Sequence, residues 1–355
     1  MTIGISLLTL VPGVVGGSET YARELVRALE RVGKHEYRVF KPTIGDSDLP
    51  GRTVRSYRAS SSFPGRVAAM TGAAVWPHPL RRELQLGQLD AIHFPLTVML
   101  PRVDDPPAIV SLLDIQHVFF PEFFSRAELA YRRFVYGWSL RRAHTVIAIS
   151  QHVKQTLVER MGIAAERVEV IHLGLDHDLF HPNGAGPRRP FLLYPANPWP
   201  HKNHARLFEA FRRVRGVRPE LRLVLTGTGL ERLEVPPEGV EVRGRVPRQE
   251  LAELYRAASA LVFPSLYEGF GQPPLEAMAS GTPVAVSTAG SLPEVCRDAA
   301  IYFDPTSIDE IAEAILAVLE RPGHLVERGL ARAAAFTWEA TAHRHDEVYR
   351  AVAAA

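Results

Sequence analysis

The sequence predicts an α/β protein built from two doubly wound, Rossmann-like domains. Short apolar runs alternate with segments of helical period along the chain, which is the pattern of parallel strands joined by crossover helices. A chain of 355 residues also exceeds the about 100–200 residues usual for one domain. The stretch HPNGAGPRRP, residues 181–190, interrupts the alternation with Pro and Gly and no apolar period, as a linker does. The expected division is residues 1–180, residues 181–337 and a terminal helix over 338–355 that crosses back to the first domain.

In the first half, strands are expected at Ile3–Leu8, Tyr37–Phe40, Ala91–Phe94, Ala108–Leu113 and Thr145–Ile149. A helix follows the first strand, with Ser18 as its N-cap, Leu25, Val26, Leu29 and Val32 at helical spacing, and Gly33 as its stop. A second helical stretch runs over Ser125–Arg142. In the second half the strands are Phe191–Tyr194, Leu221–Thr226, Val240–Val242, Ala260–Phe263, Thr282–Val286 and Ile301–Phe303. The helices between and after them are His204–Val214, Arg248–Ala258, Pro274–Ser280, Leu292–Arg297, Ser307–Glu320 and a last one from Trp338. In doubly wound sheets ligands bind beyond the carboxyl ends of the strands, so the loops there should carry the chemistry.

Composition narrows the class. The chain is 46% hydrophobic and 23% charged, ordinary for a globular protein, and has no run of about 18 apolar residues that would span a membrane. The opening MTIGISLLTLVPG lacks a basic flank and reads as a buried first strand rather than a signal peptide. The single cysteine, Cys296, excludes an internal disulfide, reads as a packing residue and fits a reducing cytoplasm. Net charge is +2, but residues 1–175 hold 21 Lys/Arg against 16 Asp/Glu, while the remainder holds 20 against 23. Arg52, Arg55, Arg58, Arg66, Arg81 and Arg82 contribute to the basic half, which would face an anionic membrane, an acidic acceptor or simply solvent. The expected location is cytoplasmic, with peripheral contact at the inner face of the membrane. No nucleic-acid module is recognisable. The 14 histidines form no metal-ligand spacing, since His343 and His345 do not share a helical face, and Asp176–His177–Asp178 falls at the start of the linker rather than at a strand end, so no metal is expected.

The segment SLYEGFGQPPLEAMASGTPV, Ser265–Val284, is the strongest candidate site. Gly269 and Gly271 let the backbone approach a ligand closely. Pro273 and Pro274 suit the first positions of a helix, whose free amides make an anion site, and Gly281 would end it. Glu268 and Glu276 beside an anion site suit a ligand offering both hydroxyls and phosphates. Taken alone, Glu276 also reads as a favourable first-turn charge and Glu268 as a solvated carboxylate.

The ordered run EGFGxPPLEAMAxGxPV resembles the signature of the retaining glycosyltransferases of family 4, which have the GT-B fold and include bacterial mannosyl-, rhamnosyl- and glucosyltransferases. YPANPWPHKNHARLFEAF, LRLVLTGTG, RGRVPRQELAELYRAASALVFPS and AGSLPEV follow the order of the family's donor domain, and GGSETYARELVRAL and SLLDIQHVFFPEFFS have counterparts in its first domain. The resemblance implies two Rossmann-like domains facing a cleft that closes on substrate. It implies a nucleotide-diphospho-sugar as co-substrate with no other cofactor. The acceptor would be a saccharide, lipid-linked or small-molecule hydroxyl.

Carried over by position, Glu268 would contact the donor sugar with the amides of Gly269, Phe270 and Gly271. Glu276 would bind the ribose, and Lys202 would neutralise the diphosphate. Many relatives have an arginine shortly before that lysine. YPANPWP has none, so Asn197, or an arginine from elsewhere such as Arg245, would take its place. Gly290 and Ser291 precede another helix near the donor. Gly16 and Gly17, in the loop after the first strand, would approach the diphosphate or the acceptor; VPGVVGGSE lacks the G-x-G-x-x-G fingerprint, which disfavours a nicotinamide enzyme. Asp114 or His117 would line the junction of donor and acceptor, although Leu113 stands where many relatives have a histidine. Ser150 and Lys154 are weaker candidates. Two other readings compete: a nucleotide-sugar epimerase or phosphorylase on the same scaffold, and a non-catalytic nucleotide-sugar-binding partner.

Overall fold

The computed structural model describes residues 1–12, 17–44, 49–182, 186–233 and 235–355. They divide into two compact units, Met1–Gly174 together with Trp338–Ala355, and Leu175–Thr337.

The first unit holds strands β1 (Thr2–Ser6), β2 (Glu36–Lys41), β3 (Arg52–Thr53), β4 (Ala91–Phe94), β5 (Ala108–Leu112), β6 (Thr145–Ala148) and β7 (Val168–Val170). They form one parallel sheet in the order β3-β2-β1-β4-β5-β6-β7. Every residue of β4, β5 and β6 is buried, because helices cover both faces of a parallel sheet. The second unit repeats the plan with β8 (Arg189–Pro195), β9 (Arg222–Thr226), β10 (Val240–Val242), β11 (Ala258–Phe263), β12 (Val284–Ser287) and β13 (Ala300–Phe303), in the order β10-β9-β8-β11-β12-β13. Its pairs are again parallel. In each sheet the order reverses at one place, between β1 and β4 and between β8 and β11, and there the loops at the carboxyl ends diverge to leave room for a ligand.

The helix after β1 spans Gly17–Val32, so Ser18 lies inside its first turn rather than capping it. Tyr21, Leu25, Val26 and Leu29 are buried on one face, and the Gly33 amide bonds to the Leu29 carbonyl. The stretch from Arg126 to Arg142 is helical throughout, with a π-turn at Arg132–Tyr136. Helices beyond those expected include Phe63–Val75, whose apolar periodicity is weak, and Pro322–Ala333. Cys296 is fully buried, and burial pushes its thiol up to about 12, as a packing residue requires.

The last helix, Trp338–Ala353, joins the first unit through a buried chain of hydrogen bonds. Its proton directions follow from one carbonyl. His345 Nδ1 lies 2.8 Å from the carbonyl of Thr341 and must donate, so Nε2 accepts from Tyr21 Oη at 2.9 Å. Tyr21 in turn accepts from Ser111 at 2.8 Å, Ser111 accepts from His93 Nε2 at 2.8 Å, and His93 Nδ1 accepts from Tyr349 at 2.8 Å. Burial holds both histidines neutral, His345 down to about 4 and His93 well below its ordinary range. A fully satisfied buried network of this kind fixes one register of the helix, whereas a partly satisfied one would cost more than apolar packing.

Candidate active site

The loop after β8 is positioned by its own side chains. Pro200–Lys202 forms a single 3₁₀ turn and Asn203 takes a left-handed conformation, φ 63°, which asparagine tolerates better than most residues. The buried Asn203 amide donates to the carbonyls of Pro264 (3.0 Å) and Pro305 (2.7 Å), tying the loop to the ends of β11 and β13. The Leu266 amide donates to the His201 carbonyl at 2.7 Å, and Tyr194 Oη donates to the Lys202 carbonyl at 2.5 Å. The backbone of Lys202 is therefore held from three sides. Its ammonium lies 2.5 Å from Glu268 Oε1 and 5.3 Å from the centroid of Phe263, with the two side chains 18% and 13% exposed. Burial first, then the Lys202 charge, pushes His201 down to about 3 and His204 down to about 4, so both are neutral and Lys202 carries the cation of this loop.

Glu268 sits between β11 and the helix Gln272–Ala279, on a loop that the next crossover holds from behind. Gly290 has φ 62°, and a Cβ there would lie 2.4 Å from the Glu268 carbonyl oxygen, so only glycine fits. Ser291 is fully buried. Its amide donates to the Glu268 carbonyl at 3.1 Å and its hydroxyl to the Phe270 carbonyl at 2.6 Å. Gly290 and Ser291 thus support Glu268 from behind, and the short helix after them adds no anion site of its own. Gly271, with φ 115°, starts the helix; a Cβ would meet Leu292 at 2.8 Å. Phe270 turns its ring into the core, edge-on to Phe336 at 5.8 Å, and leaves only its backbone for a ligand.

Glu276 departs from expectation. The helix begins at Gln272, with both prolines in its first turn, so Glu276 falls in the second turn and draws little from the free amides. Its carboxylate accepts from Tyr255 Oη at 2.9 Å. Burial pushes it up to about 7, against the lowering effects of the Tyr255 bond and the Arg248 charge, while Asp176 raises it further. Asp176 is not the start of a loose linker. It bonds to the Leu179 amide at 3.2 Å and pairs with Arg248 at 3.2 Å, and Phe180 packs edge-on to Tyr255 at 5.8 Å. Sequence reasoning missed Tyr255, Arg248 and Asp176 around Glu276. The available signal was the Asp-x-x-Leu capping pattern at 176–179.

Asn197 lies on the loop after β8. Its side-chain oxygen accepts from the Thr228 amide at 2.7 Å and fixes the glycine-rich loop after β9. Gly227 there could not carry a Cβ without meeting the Ala196 carbonyl oxygen at 2.7 Å. Arg245 is exposed beyond β10.

In the first unit, Gly16 lies outside the described residues. Gly17 is the exposed first residue of its helix, where a Cβ would meet nothing within 4 Å. Asp114 and His117 both lie just after β5, on the loop and the short helix Gln116–Phe119. Asp114 Oδ1 accepts from the Gln116 amide at 2.8 Å, and Asp114 pairs with Arg132 of the π-turn at 3.5 Å. His117 is 3% exposed between the edges of Phe124 (6.3 Å) and Tyr136 (6.0 Å). Burial, then Arg132 and Arg133, pushes it down to about 4, so it is neutral. His117 Nδ1 and Gln116 Oε1 are buried with no hydrogen-bond partner in the protein. Gln116 was not anticipated. Ser150 caps the helix Gln151–Met161 through the Val153 amide, and Lys154 donates to the Val168 carbonyl at 2.7 Å, so both are structural. Among the described residues no three His, Cys, Asp or Glu side chains gather as a metal site.

Comparison with known proteins bears on the family and the fold. The family described as "Glycosyltransferase Family 4" matches residues 15–179, and that described as "Glycosyl transferases group 1" matches residues 177–334. The O-antigen chain mannosyltransferase B of Escherichia coli is 31% identical over 65% of this chain and 67% of its own length. Across the first curated relatives the matched stretch spans 54–67% of their length. Sucrose-phosphate synthase from Thermosynechococcus elongatus has the same fold, with a TM-score of 0.78 and 21% identity over 100% of this chain and 99% of that one. So has Anabaena HepE, solved in complex with UDP-glucose, with a TM-score of 0.71 and 18% identity over 99% and 100%. Two parallel Rossmann-like sheets, the paired Lys202 and Glu268 beside the second switch point, and these matches together establish that the chain belongs to glycosyltransferase family 4.

Proposed function

We propose that this protein transfers a hexose of the mannose, rhamnose or glucose type from a nucleotide-diphospho-sugar to a hydroxyl acceptor, with retention, in bacterial polysaccharide or glycolipid assembly. The observation that carries the reading is the Lys202–Glu268 pair at 2.5 Å, held on two loops that leave the carboxyl ends of β8 and β11. In the reaction the bond from sugar C1 to the diphosphate oxygen breaks, and negative charge grows on the diphosphate. A fixed ammonium in a poorly solvated site stabilises that charge with no reorganisation at the moment of reaction. Lys202 exchanges its Glu268 partner for the phosphate oxygens, and Glu268 turns to the sugar hydroxyls. The acceptor oxygen bonds to C1 on the face the diphosphate leaves, and its proton passes to the departing phosphate oxygen, so no protein base takes part. Glu276, ionised, accepts from the ribose hydroxyls.

The first unit receives the acceptor, with Asp114, Gln116 and His117 as the polar groups that meet it. The relative from Escherichia coli is a mannosyltransferase of O-antigen chains, which favours mannose and a saccharide or lipid-linked acceptor. HepE, solved with UDP-glucose, supports a nucleotide-sugar donor. No helix among the described residues is long and apolar enough to cross a membrane; a lipid-linked acceptor would be met by peripheral contact through the basic first unit. The test is a thermal-shift screen with UDP-, GDP-, ADP- and dTDP-sugars. A donor that binds the folded state alone raises the melting temperature, and the donor so found should be consumed only when a hydroxyl acceptor is supplied. Donor consumption without acceptor would replace transfer with the epimerase or phosphorylase reading, and binding without turnover would leave a non-catalytic partner.

A further inference from the structure

The helix Phe63–Val75 lies on the first unit by one face only. Met70 accepts a hydrogen bond from Tyr131 at 3.4 Å, and Ala69 and Ala73 are half-buried. The opposite face is exposed and uncharged: Pro64, Val67, Ala68, Thr71, Val75 and the C-cap residue Trp76 follow one another at helical spacing. Val75 is 75% and Trp76 69% exposed. Scattered apolar side chains on a surface are ordinary, but a continuous stripe ending in tryptophan is not.

The charge beside the stripe is mainly positive, with Glu83 the carboxylate among the arginines. Trp76 shares a depression of about 610 Å³ with Arg52, His78 and Arg82. Glu83, on its wall, is already engaged, since its carboxylate accepts from the Arg55 and Ser56 amides at 2.9 and 2.8 Å. Arg81 and Arg82 pair with no carboxylate among the described residues. An exposed apolar stripe beside arginines, on a helix of 13 residues that is too short to span a bilayer, suits docking on a surface that is apolar within and anionic outside. We infer that the helix Phe63–Val75, with Trp76 and the arginines at positions 52, 81 and 82, docks this protein on an anionic lipid surface. A second copy of the chain would bring arginines against arginines, and a saccharide would find no hydrogen-bonding groups on the stripe apart from Thr71. This deepens the peripheral contact proposed above by naming the surface.

The experiment is co-sedimentation of the full chain with vesicles of phosphatidylcholine alone and with phosphatidylglycerol added. The wild type is expected to pellet with the anionic vesicles and to be released by salt, because exposed charges are screened within about 8 Å at physiological ionic strength. Val75→Asp with Trp76→Ala should lower partition about tenfold or more, and Arg81→Glu with Arg82→Glu should remove the preference for anionic lipid. Circular dichroism and the thermal shift given by nucleotide, both unchanged in the variants, show that the fold and donor site are intact. Equal pelleting of wild type and both variants overturns the inference, as does equal pelleting with neutral and anionic vesicles. A lipid-free dimer that Val75→Asp dissociates also overturns it, in favour of self-association. A wild type that docks but shows no nucleotide shift would remove the donor reading and leave the docking surface standing.

Discussion

The loops at the switch point of the second sheet and those beyond β5 in the first differ in how tightly their charged groups are held. In the second unit the charged groups already have partners: Lys202 has Glu268, Glu276 has Tyr255, and the backbone beneath them is held by Asn203, Gly290 and Ser291. In the first unit the Asp114–Arg132 pair is longer, at 3.5 Å, and His117 Nδ1 and Gln116 Oε1 are buried with no protein partner, as His204 Nε2 and Ser265 Oγ are in the second. The contrast suits two kinds of ligand. A nucleotide diphosphate is a fixed, strongly charged object, and a rigid site with its charge in place can be matched to it in advance. Hydroxyl groups of an acceptor are neutral, and a site for them needs no charge held so firmly.

The contrast breaks most sharply at Lys202. Lys202→Ala should cut turnover by about 10²–10³, the usual cost of removing a group that stabilises transition-state charge; steady-state assays with near-normal turnover would take Lys202 out of the site. Gly290→Ala tests the rigidity behind Glu268. The new Cβ must displace the Glu268 backbone from a positive-φ position, so the variant should lose about 1–3 kcal/mol of stability and about tenfold or more of activity. Thermal unfolding and activity measured together check this, and an unperturbed variant would show that the loop is not held as described.

Glu276 should bring pH into the donor site. Its carboxyl titrates at about 7 when folded, against about 4.3 in an unfolded chain. The folded state therefore holds this proton more tightly, and the stability linked to it is full at low pH and lost as pH rises from about 4.3 to 7. Nucleotide affinity should run the other way and rise to a plateau above about 7, since only the ionised form accepts from the ribose without competition. Glu276→Gln should flatten both trends; a titration that kept the wild-type slopes would assign them to another group. The smallest effect is expected at His117. Because burial holds it neutral above about 5, His117→Ala should raise the acceptor KM about three- to tenfold, equally from pH 6 to 9, with donor binding unchanged. Full activity would make it a structural residue.

Much of the fold could be read from the sequence because doubly buried parallel strands are continuous apolar runs. AIVSL at β5 and ALVF within β11 needed no context. The edge strand β3 is two residues long and too short to leave a pattern, whereas β7 carries the same VEV as the expected β10. The helix Phe63–Val75 escaped notice because its stripe and its inner face are both apolar, so it has no clear hydrophobic side. At the candidate site, the glycine and proline positions around Glu268 could be read from turn chemistry. The Lys202–Glu268 contact could not, since its partners are 66 residues apart and only the family resemblance linked them. Tyr255 beneath Glu276 gave no signal of its own: a tyrosine on a helix's buried face looks like core until a carboxylate is found against its hydroxyl.

The central claim is that the second unit holds a preformed site for a nucleoside diphosphate, centred on Lys202. The most direct test is the melting temperature of the wild type and of Lys202→Ala with UDP, GDP, ADP and dTDP at saturating concentration. At about 100 times its Kd a ligand adds about 2.7 kcal/mol to the folded state, so one of the four should raise the wild-type melting temperature by several degrees and leave Lys202→Ala nearly unmoved. If none of them shifts the wild type, or if the variant keeps the full shift, the account of this site is wrong.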